Sequence, residues 1–375
     1  MDASPPTSSM NNDLSMNNGL SPKEPRRRLA GIPAALLDWY DANARTLPWR
    51  RPPGSVPPAH DPDWPYRVWL SEVMLQQTTV AAVIPYFARF TARWPTVADL
   101  AAADEGEVMA AWAGLGYYAR ARNLIACARA VAARGGAFPG DEAELRALPG
   151  FGVYTAAAVA AIGFGRRAVV VDANVERVVS RLFAIGKPLP GAKPAIREAA
   201  DTITPNRRAG DFAQAMMDLG ATICTTRAPR CLLCPLRPHC AAQAAGQAEA
   251  YPVKAPRRAR PERRGRAFWI TRDGAVWLVR RVGRGMLGGM RALPDDAWSA
   301  GRDGSSTPPL PGPWRMAGDV SHVFTHFTLR LELAVYSGND WASLAIDDGE
   351  WWPLDRLEQA GLPTLFTRAA QLAFI

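Results

Sequence analysis

The chain has 375 residues, 48% of them apolar, and a formal charge of +9. That length and apolar content allow two domains with cores of their own, and no apolar run approaches the roughly 18–20 residues that a membrane-spanning helix needs. The whole charge excess lies in two short segments, Lys23, Arg26, Arg27 and Arg28 against Glu24, and Lys254, Arg257, Arg258, Arg260, Arg263, Arg264 and Arg266 against Glu262; the rest is near neutral, so net charge alone does not establish a nucleic-acid partner.

Residues 1–30 begin Ser-, Asn- and Met-rich, lack an apolar signal core and read as a disordered tail. Residues 31–245 are Ala/Leu/Val-rich with helical periodicity, which predicts an all-α domain with short connections. Helices are expected over 32–43, over 66–90 as one or two around Pro85, and over 105–113 and 119–134 across a Gly114–Tyr118 turn. Further helices are expected over 141–148, 154–164, 174–185 and 209–222. A Pro-rich loop separates the first two, from Pro48 to Pro65. Residues 246–266 read as a basic Pro/Arg linker, either solvated or set against phosphate. Residues 267–375 carry short strand-like runs at 267–271, 276–280 and 327–336 and a closing helix at 362–374, an α+β pattern.

Four of the five cysteines, Cys224, Cys231, Cys234 and Cys240, follow the pattern C-x6-C-x2-C-x5-C. Tetrahedral zinc sites usually pair two short C-x2-C knuckles, and only Cys231 and Cys234 form one here. The wider loops suit a 4Fe–4S cluster held by four thiolates, with zinc as the rival reading. Cys127 falls on the apolar stripe of its helix with Leu124 and Val131 and reads as core.

Between two predicted helices, Leu148-Pro149-Gly150-Phe151-Gly152-Val153 forms a tight turn whose glycines permit close backbone approach, so that Gly150, Gly152 and Val153 can present free N–H groups to a phosphate. An ordinary helical corner has the same local sequence. Glu72 has Val68, Trp69, Leu75 and Gln76 as its helical neighbours. That mostly apolar face would raise its pKa and keep it protonated, as a proton donor requires; a structural glutamate is the alternative. Asp172 follows the apolar run 168–171 and precedes a helix, where it is either a plain N-cap or a carboxylate held at a helix entrance facing a ligand.

Together these strings resemble the helix-hairpin-helix DNA glycosylases that carry an iron–sulfur cluster, and most closely the MutY-type adenine glycosylases. The resemblance spans residues 31–375. It rests on Leu47-Pro48-Trp49-Arg50, Trp69 to Thr78, Gly114-Leu115-Gly116-Tyr117-Tyr118, the hairpin, Val171 to Val175 and the four cysteines. It implies excision of adenine opposite 8-oxoguanine or guanine in double-stranded DNA, by a monomer of the cytoplasm and nucleoid. It gives Glu72 as the acid that protonates adenine N7, Asp172 as the carboxylate beside the oxocarbenium-like sugar, and Tyr154 as a support for that aspartate. Trp49, Arg50 and Gln214 fall around the flipped adenine, and Gln77, Thr78, Leu115 and Tyr117 at the opposite base. Strand-cleaving relatives carry a lysine where this chain has Tyr154, which cannot form a Schiff base, so a monofunctional enzyme is expected. Two rival readings are a bifunctional glycosylase of pyrimidine lesions and a non-catalytic iron–sulfur DNA-binding protein.

Residues 267–375 resemble the Nudix-like domain with which this family recognises 8-oxoguanine. No Glu-rich metal-binding helix is found in it, so binding rather than hydrolysis is expected. Thr325 and His326 fall in the recognition loop, with Thr325 where the family usually has serine; the hydroxyl is kept. Arg227, Arg230 and Arg237 surround the cysteines, so the cluster either docks a basic loop on DNA or tunes DNA affinity by redox state.

Overall fold

A computed structural model describes residues 23–56, 61, 63–256, 259–281, 286–341, 344 and 349–374, with only the backbone described for residues 23–28. The polar tail expected over 1–30 lies outside the described residues as far as residue 22. From Lys23 onward the chain is already helical, because α1 runs Lys23–Asn43 and buries Ile32, Leu36 and Tyr40. Within the Pro-rich loop, residues 57–60 and 62 lie outside the description.

The helical domain continues with α2 (Trp64–Leu75), α3 (Val80–Arg93), α4 (Val97–Ala102), α5 (Glu105–Trp112), α6 (Ala119–Ala132), α7 (Glu142–Arg146), α8 (Val153–Ala158), α9 (Ala173–Leu182), α10 (Lys193–Ile203), α11 (Ala209–Thr222) and α12 (Ala241–Ala244). Helix α2 is buried on nearly every side. Its Trp69 ring stacks on Phe151 of the hairpin at 6.2 Å and 2°, and also meets Phe138. This contact ties the turn after α7 to the helix that carries Glu72. The helix expected over 154–164 widens at its end into one π turn, Val159–Gly163. Gly210 of α11 packs there so closely that a Cβ would lie 2.5 Å from the Ala161 carbonyl oxygen.

The C-terminal domain holds two sheets. Strand β1 (Glu262–Trp269) pairs in parallel with β6 (Thr328–Tyr336), which pairs antiparallel with β5 (Trp314–Val323). The second sheet has β2 (Thr271–Arg272), β3 (Ala275–Arg280) and β4 (Arg291–Ala292), with β7 (Gly349–Pro353) against β3. On β6, Leu329, Leu331 and Leu333 alternate into the core, and α13 (Thr364–Gln371) covers them with Leu365, Phe366 and Ala369. The first sheet therefore starts before residue 267, and the basic segment runs into it. Arg266 pairs with Glu332 and Arg263 with Asp303, so these two arginines are engaged within their own domain rather than free for phosphate.

The two domains touch near α6. Arg122 Nη1 donates to the Gly288 carbonyl, and Leu287 and Met290 pack onto the helical core.

Candidate active site

A cavity of about 410 Å³ opens between α2, α8, α9 and α11, and it gathers Trp49, Arg50, Glu72, Gln77, Thr78, Tyr154, Asp172 and Gln214. Three of its titratable side chains stand at helix ends. Glu72 sits in the last turn of α2, Tyr154 in the first turn of α8, and Asp172 is the N-cap of α9.

Glu72 is 6% exposed, and its Oε2 accepts a hydrogen bond of 2.5 Å from the Tyr154 hydroxyl. Burial pushes its pKa up from 4.5 to about 7; the Tyr154 bond opposes the rise, the Asp172 charge adds to it and Arg50 opposes it. Tyr154 was expected to support Asp172. Its hydroxyl is instead bonded to Glu72, because α8 enters the cavity beside α2.

Asp172 is also raised by burial, but donors oppose that. Its Oδ1 accepts from the Val175 N–H at 2.7 Å and its Oδ2 from Asn174 Nδ2 at 3.0 Å. The capping and ligand-facing readings of Asp172 therefore hold together, since the carboxylate that caps α9 also lines the cavity. Asn174 is held in turn by Arg177, which also donates to the Cys224 and Gly220 carbonyls. Gly220 lets α11 approach, as a Cβ there would meet Asn174 Cβ at 2.6 Å. One carboxyl with a single hydroxyl donor stands beside another held by amide donors. Burial raises both, but the amide donors oppose the rise at Asp172, so Glu72 is the member that holds a proton more readily and Asp172 the one that gives it up more readily.

The raised Glu72 pKa has a consequence for stability. The folded chain binds more protons than the unfolded one between about pH 4.5 and about pH 7, so stability falls as pH rises through that window. Glu72→Gln removes this loss. Above about pH 7 the variant melts higher than the parent, by up to about 3 kcal/mol of unfolding free energy, and the gain disappears below about pH 4.5. Thermal melts of both proteins at the two pH extremes measure it; equal melting at the alkaline end would contradict a buried, proton-bearing Glu72.

The sequence reading missed Asp218. It is fully buried on α11, one turn beyond Gln214, and pairs with Arg50 at 2.6 Å and Arg45 at 2.5 Å. Arg50 is thereby pinned at the cavity wall next to Trp49, whose ring meets Phe87 edge-on. The signal was present: Asp218 is a carboxylate set directly among the apolar residues Met216, Met217 and Leu219, the same kind of signal that singled out Glu72.

Other expected site residues lie outside the cavity. Tyr117 is exposed at the turn between α5 and α6, whereas Leu115, two residues before it, is buried among core residues. Thr325 and His326 are exposed at the tip of the β5–β6 hairpin, above stacked Phe324 and Phe327. In the helical hairpin, Gly150 has φ +76° and a Cβ there would meet Asn123 Cβ at 2.8 Å. A Cβ on Gly152 would meet nothing within 4 Å, Val153 is exposed, and no side chain caps α8. The first-turn N–H groups of α8 therefore have no side-chain cap acceptor.

Cys224, Cys231, Cys234 and Cys240 line one small cavity with Arg181 and Arg237, and none is in a disulfide. Burial and the neighbouring sulfurs push the Cys234 thiol up to about 12. Arg181 is buried and donates to Cys224 Sγ at 3.3 Å. Among the described residues no group of three or more His, Cys, Asp or Glu side chains is arranged to hold a metal ion. The four sulfurs nevertheless border one space, and thiolates are the usual ligands of iron–sulfur clusters. Cys127 is buried on α6 as core.

Two separate stretches of the chain match known families. Residues 70–204 match the model of the HhH-GPD superfamily of base excision DNA repair proteins, and residues 266–372 match the NUDIX domain. The chain is 34% identical to an adenine DNA glycosylase of Rattus norvegicus, over 88% of this chain and 75% of that protein. It is 42% identical to an adenine DNA glycosylase of Mycolicibacterium smegmatis, over 57% of this chain and 70% of that one. Among solved structures, a thermostable thymine-DNA glycosylase superposes with a TM-score of 0.52 at 30% identity, covering 58% of this chain and 98% of the other. No described helix is long and apolar enough to cross a membrane.

Proposed function

The chain belongs to the adenine DNA glycosylases, base-excision repair enzymes that remove adenine from DNA, and from that premise we propose that it acts on adenine opposite 8-oxoguanine or guanine in duplex DNA, by base flipping and without cutting the strand. The observation that carries the chemistry is the pair of buried carboxyl groups in one cavity, Glu72 bonded to Tyr154 and Asp172 bonded to amides.

A base inside a duplex is out of reach of buried side chains, so the adenine must leave the stack, at a cost of about a few kcal/mol. Gln77 and Tyr117, both exposed, can fill the gap from the protein side. Once in the cavity the adenine faces Trp49, Arg50 and Gln214. Glu72 gives its proton to adenine N7, which turns the base into a neutral leaving group as the C1′–N9 bond breaks and its electron pair stays on the base. Positive charge builds on the sugar, and Asp172 stabilises it. Water adds at C1′ and its proton returns to the carboxyl pair, leaving an abasic site. Gly150, Gly152 and Val153 offer backbone N–H groups to a phosphate. In this proposal Thr325 and His326, exposed on the second domain, read the opposite base.

For the four cysteines we propose a 4Fe–4S cluster, which when bound fixes the fold of the Arg-bearing loop around it. Purified protein should carry about four irons and four sulfides per chain. Cys234→Ala should lose most of that iron. Stoichiometric zinc in place of iron would overturn the assignment.

Duplexes holding adenine opposite 8-oxoguanine, adenine opposite guanine, or thymine glycol test the function. Strand breaks confined to adenine, and only after alkali, are expected. Cutting without alkali, or at thymine glycol, would overturn it.

A further inference from the structure

Arg120, the second residue of α6, makes more side-chain contacts across separate segments than the excision chemistry requires. Its Nη1 donates to the Val73 and Met74 carbonyls, at 2.7 and 3.0 Å, in the last turn of α2. Its Nη2 donates to the Leu115 and Gly116 carbonyls, at 3.2 and 3.4 Å, and to Thr78 Oγ1 at 3.3 Å. The guanidinium carbon also lies 5.3 Å from the Trp112 ring and 5.5 Å from the Tyr117 ring. One planar cation thus spans three chain segments: the end of the Glu72 helix, the turn holding Gln77 and Thr78, and the turn holding Tyr117.

Both turns need an outside hold. Gln77 has φ +59° and Tyr117 φ +49°, left-handed conformations that residues with a Cβ keep only when their surroundings impose them. The last carbonyls of α2 lack helical partners and form the negative end of its dipole, so a cation there is doubly favoured. Burial lowers the Arg120 pKa only to about 10, so the charge persists at neutral pH. A lysine has a compact ammonium with three donors and cannot reach five acceptors spread across a guanidinium fork.

We propose that Arg120 is a positioning residue that fixes the duplex-facing turns of Gln77 and Tyr117 in register with the Glu72 helix, so that wedging into the duplex and insertion of adenine into the cavity are one rigid event. The proposal rests on the base-flipping reading above. It makes Arg120 matter where a base must be extracted from a stack, and matter far less where the base is already extrahelical.

Single-turnover excision by Arg120→Lys is compared on two substrates, adenine opposite 8-oxoguanine within a duplex and an unpaired adenine in a bulge. Duplex excision should fall about 100-fold relative to wild type, and bulge excision at least about ten-fold less than that. Equal losses on both substrates would mean a general structural role and overturn the proposal, as would an unchanged duplex rate. Where the lysine variant does not fold, Arg120→Ala with added methylguanidinium replaces it; selective rescue of duplex excision supports the proposal, and equal rescue on both substrates contradicts it. Wild-type protein assayed alongside reports separately on adenine excision, so failure of that reading is distinguishable.

Discussion

Glu72→Gln should lower adenine excision about 1,000-fold while leaving DNA binding within a few-fold of wild type. The two effects separate because the substitution changes one property. Glutamine has nearly the shape of glutamic acid, and its carbonyl oxygen can accept the Tyr154 hydroxyl in place of Oε2. Near neutrality the parent carboxyl, with its pKa pushed up to about 7, is about half proton-bearing, so the amide changes the charge facing the DNA by less than one unit. What it cannot do is give a proton to a departing base. Single-turnover rates and a binding titration on the same duplex measure both quantities. Excision that survived would remove Glu72 from the acid role.

Asp172→Asn should cost about 100- to 1,000-fold in excision, because the developing sugar cation loses the carboxylate that lines the cavity beside Glu72. Asparagine is a good N-cap, and its oxygen can still accept the Val175 N–H, so α9 keeps its start. Its amide nitrogen, however, would face Asn174 Nδ2, which now donates to Oδ2 and cannot turn around freely because Asn174 Oδ1 accepts from Arg177. A stability loss of about 1 kcal/mol is expected from that one conflict. The neighbouring acid reports the change as well. Asp172 contributes to the raised Glu72 pKa, so its neutralisation should move the Glu72 titration to lower pH. A variant with full activity would assign Asp172 to capping alone.

Much of the site was legible because unusual residues interrupt regular patterns. Glu72 breaks the apolar face of α2, and Asp172 stands where an apolar run meets a helix start. The spacing of the cysteines is independent of any packing pattern, and all four do line one space. Other parts were not legible for equally physical reasons. Tyr154 is adjacent in space to Glu72 rather than to Asp172 alone, and only the packing of α8 on α2 decides that. Leu115 sits in a motif with exposed Tyr117, but a turn can bury one residue and expose the next but one, and it does so here.

The fold shows the same division. Helix α11 ends where its periodicity ends, at Thr222. Helix α4 has six residues and is defined by its Thr96–Asp99 capping box, too short for a periodic signal. Helix α10 went unpredicted although Ile196, Ala200 and Ile203 mark its buried face. Strand β5 is an edge strand that buries only Val320, so its sequence lacks alternation. The Leu/Val alternation of β6 next to it is plain.

The central claim is that a proton-bearing Glu72 and an ionised Asp172 act together. The pH dependence of single-turnover excision at saturating enzyme tests it most directly. The rate should fall on the alkaline side as Glu72 loses its proton, with an apparent pKa of about 7 or above in the DNA complex. It should fall on the acid side as Asp172 gains one, and Asp172→Asn should move the alkaline limb to lower pH. A rate that stayed level or rose from about pH 6 to about pH 10 in wild-type protein would contradict the account.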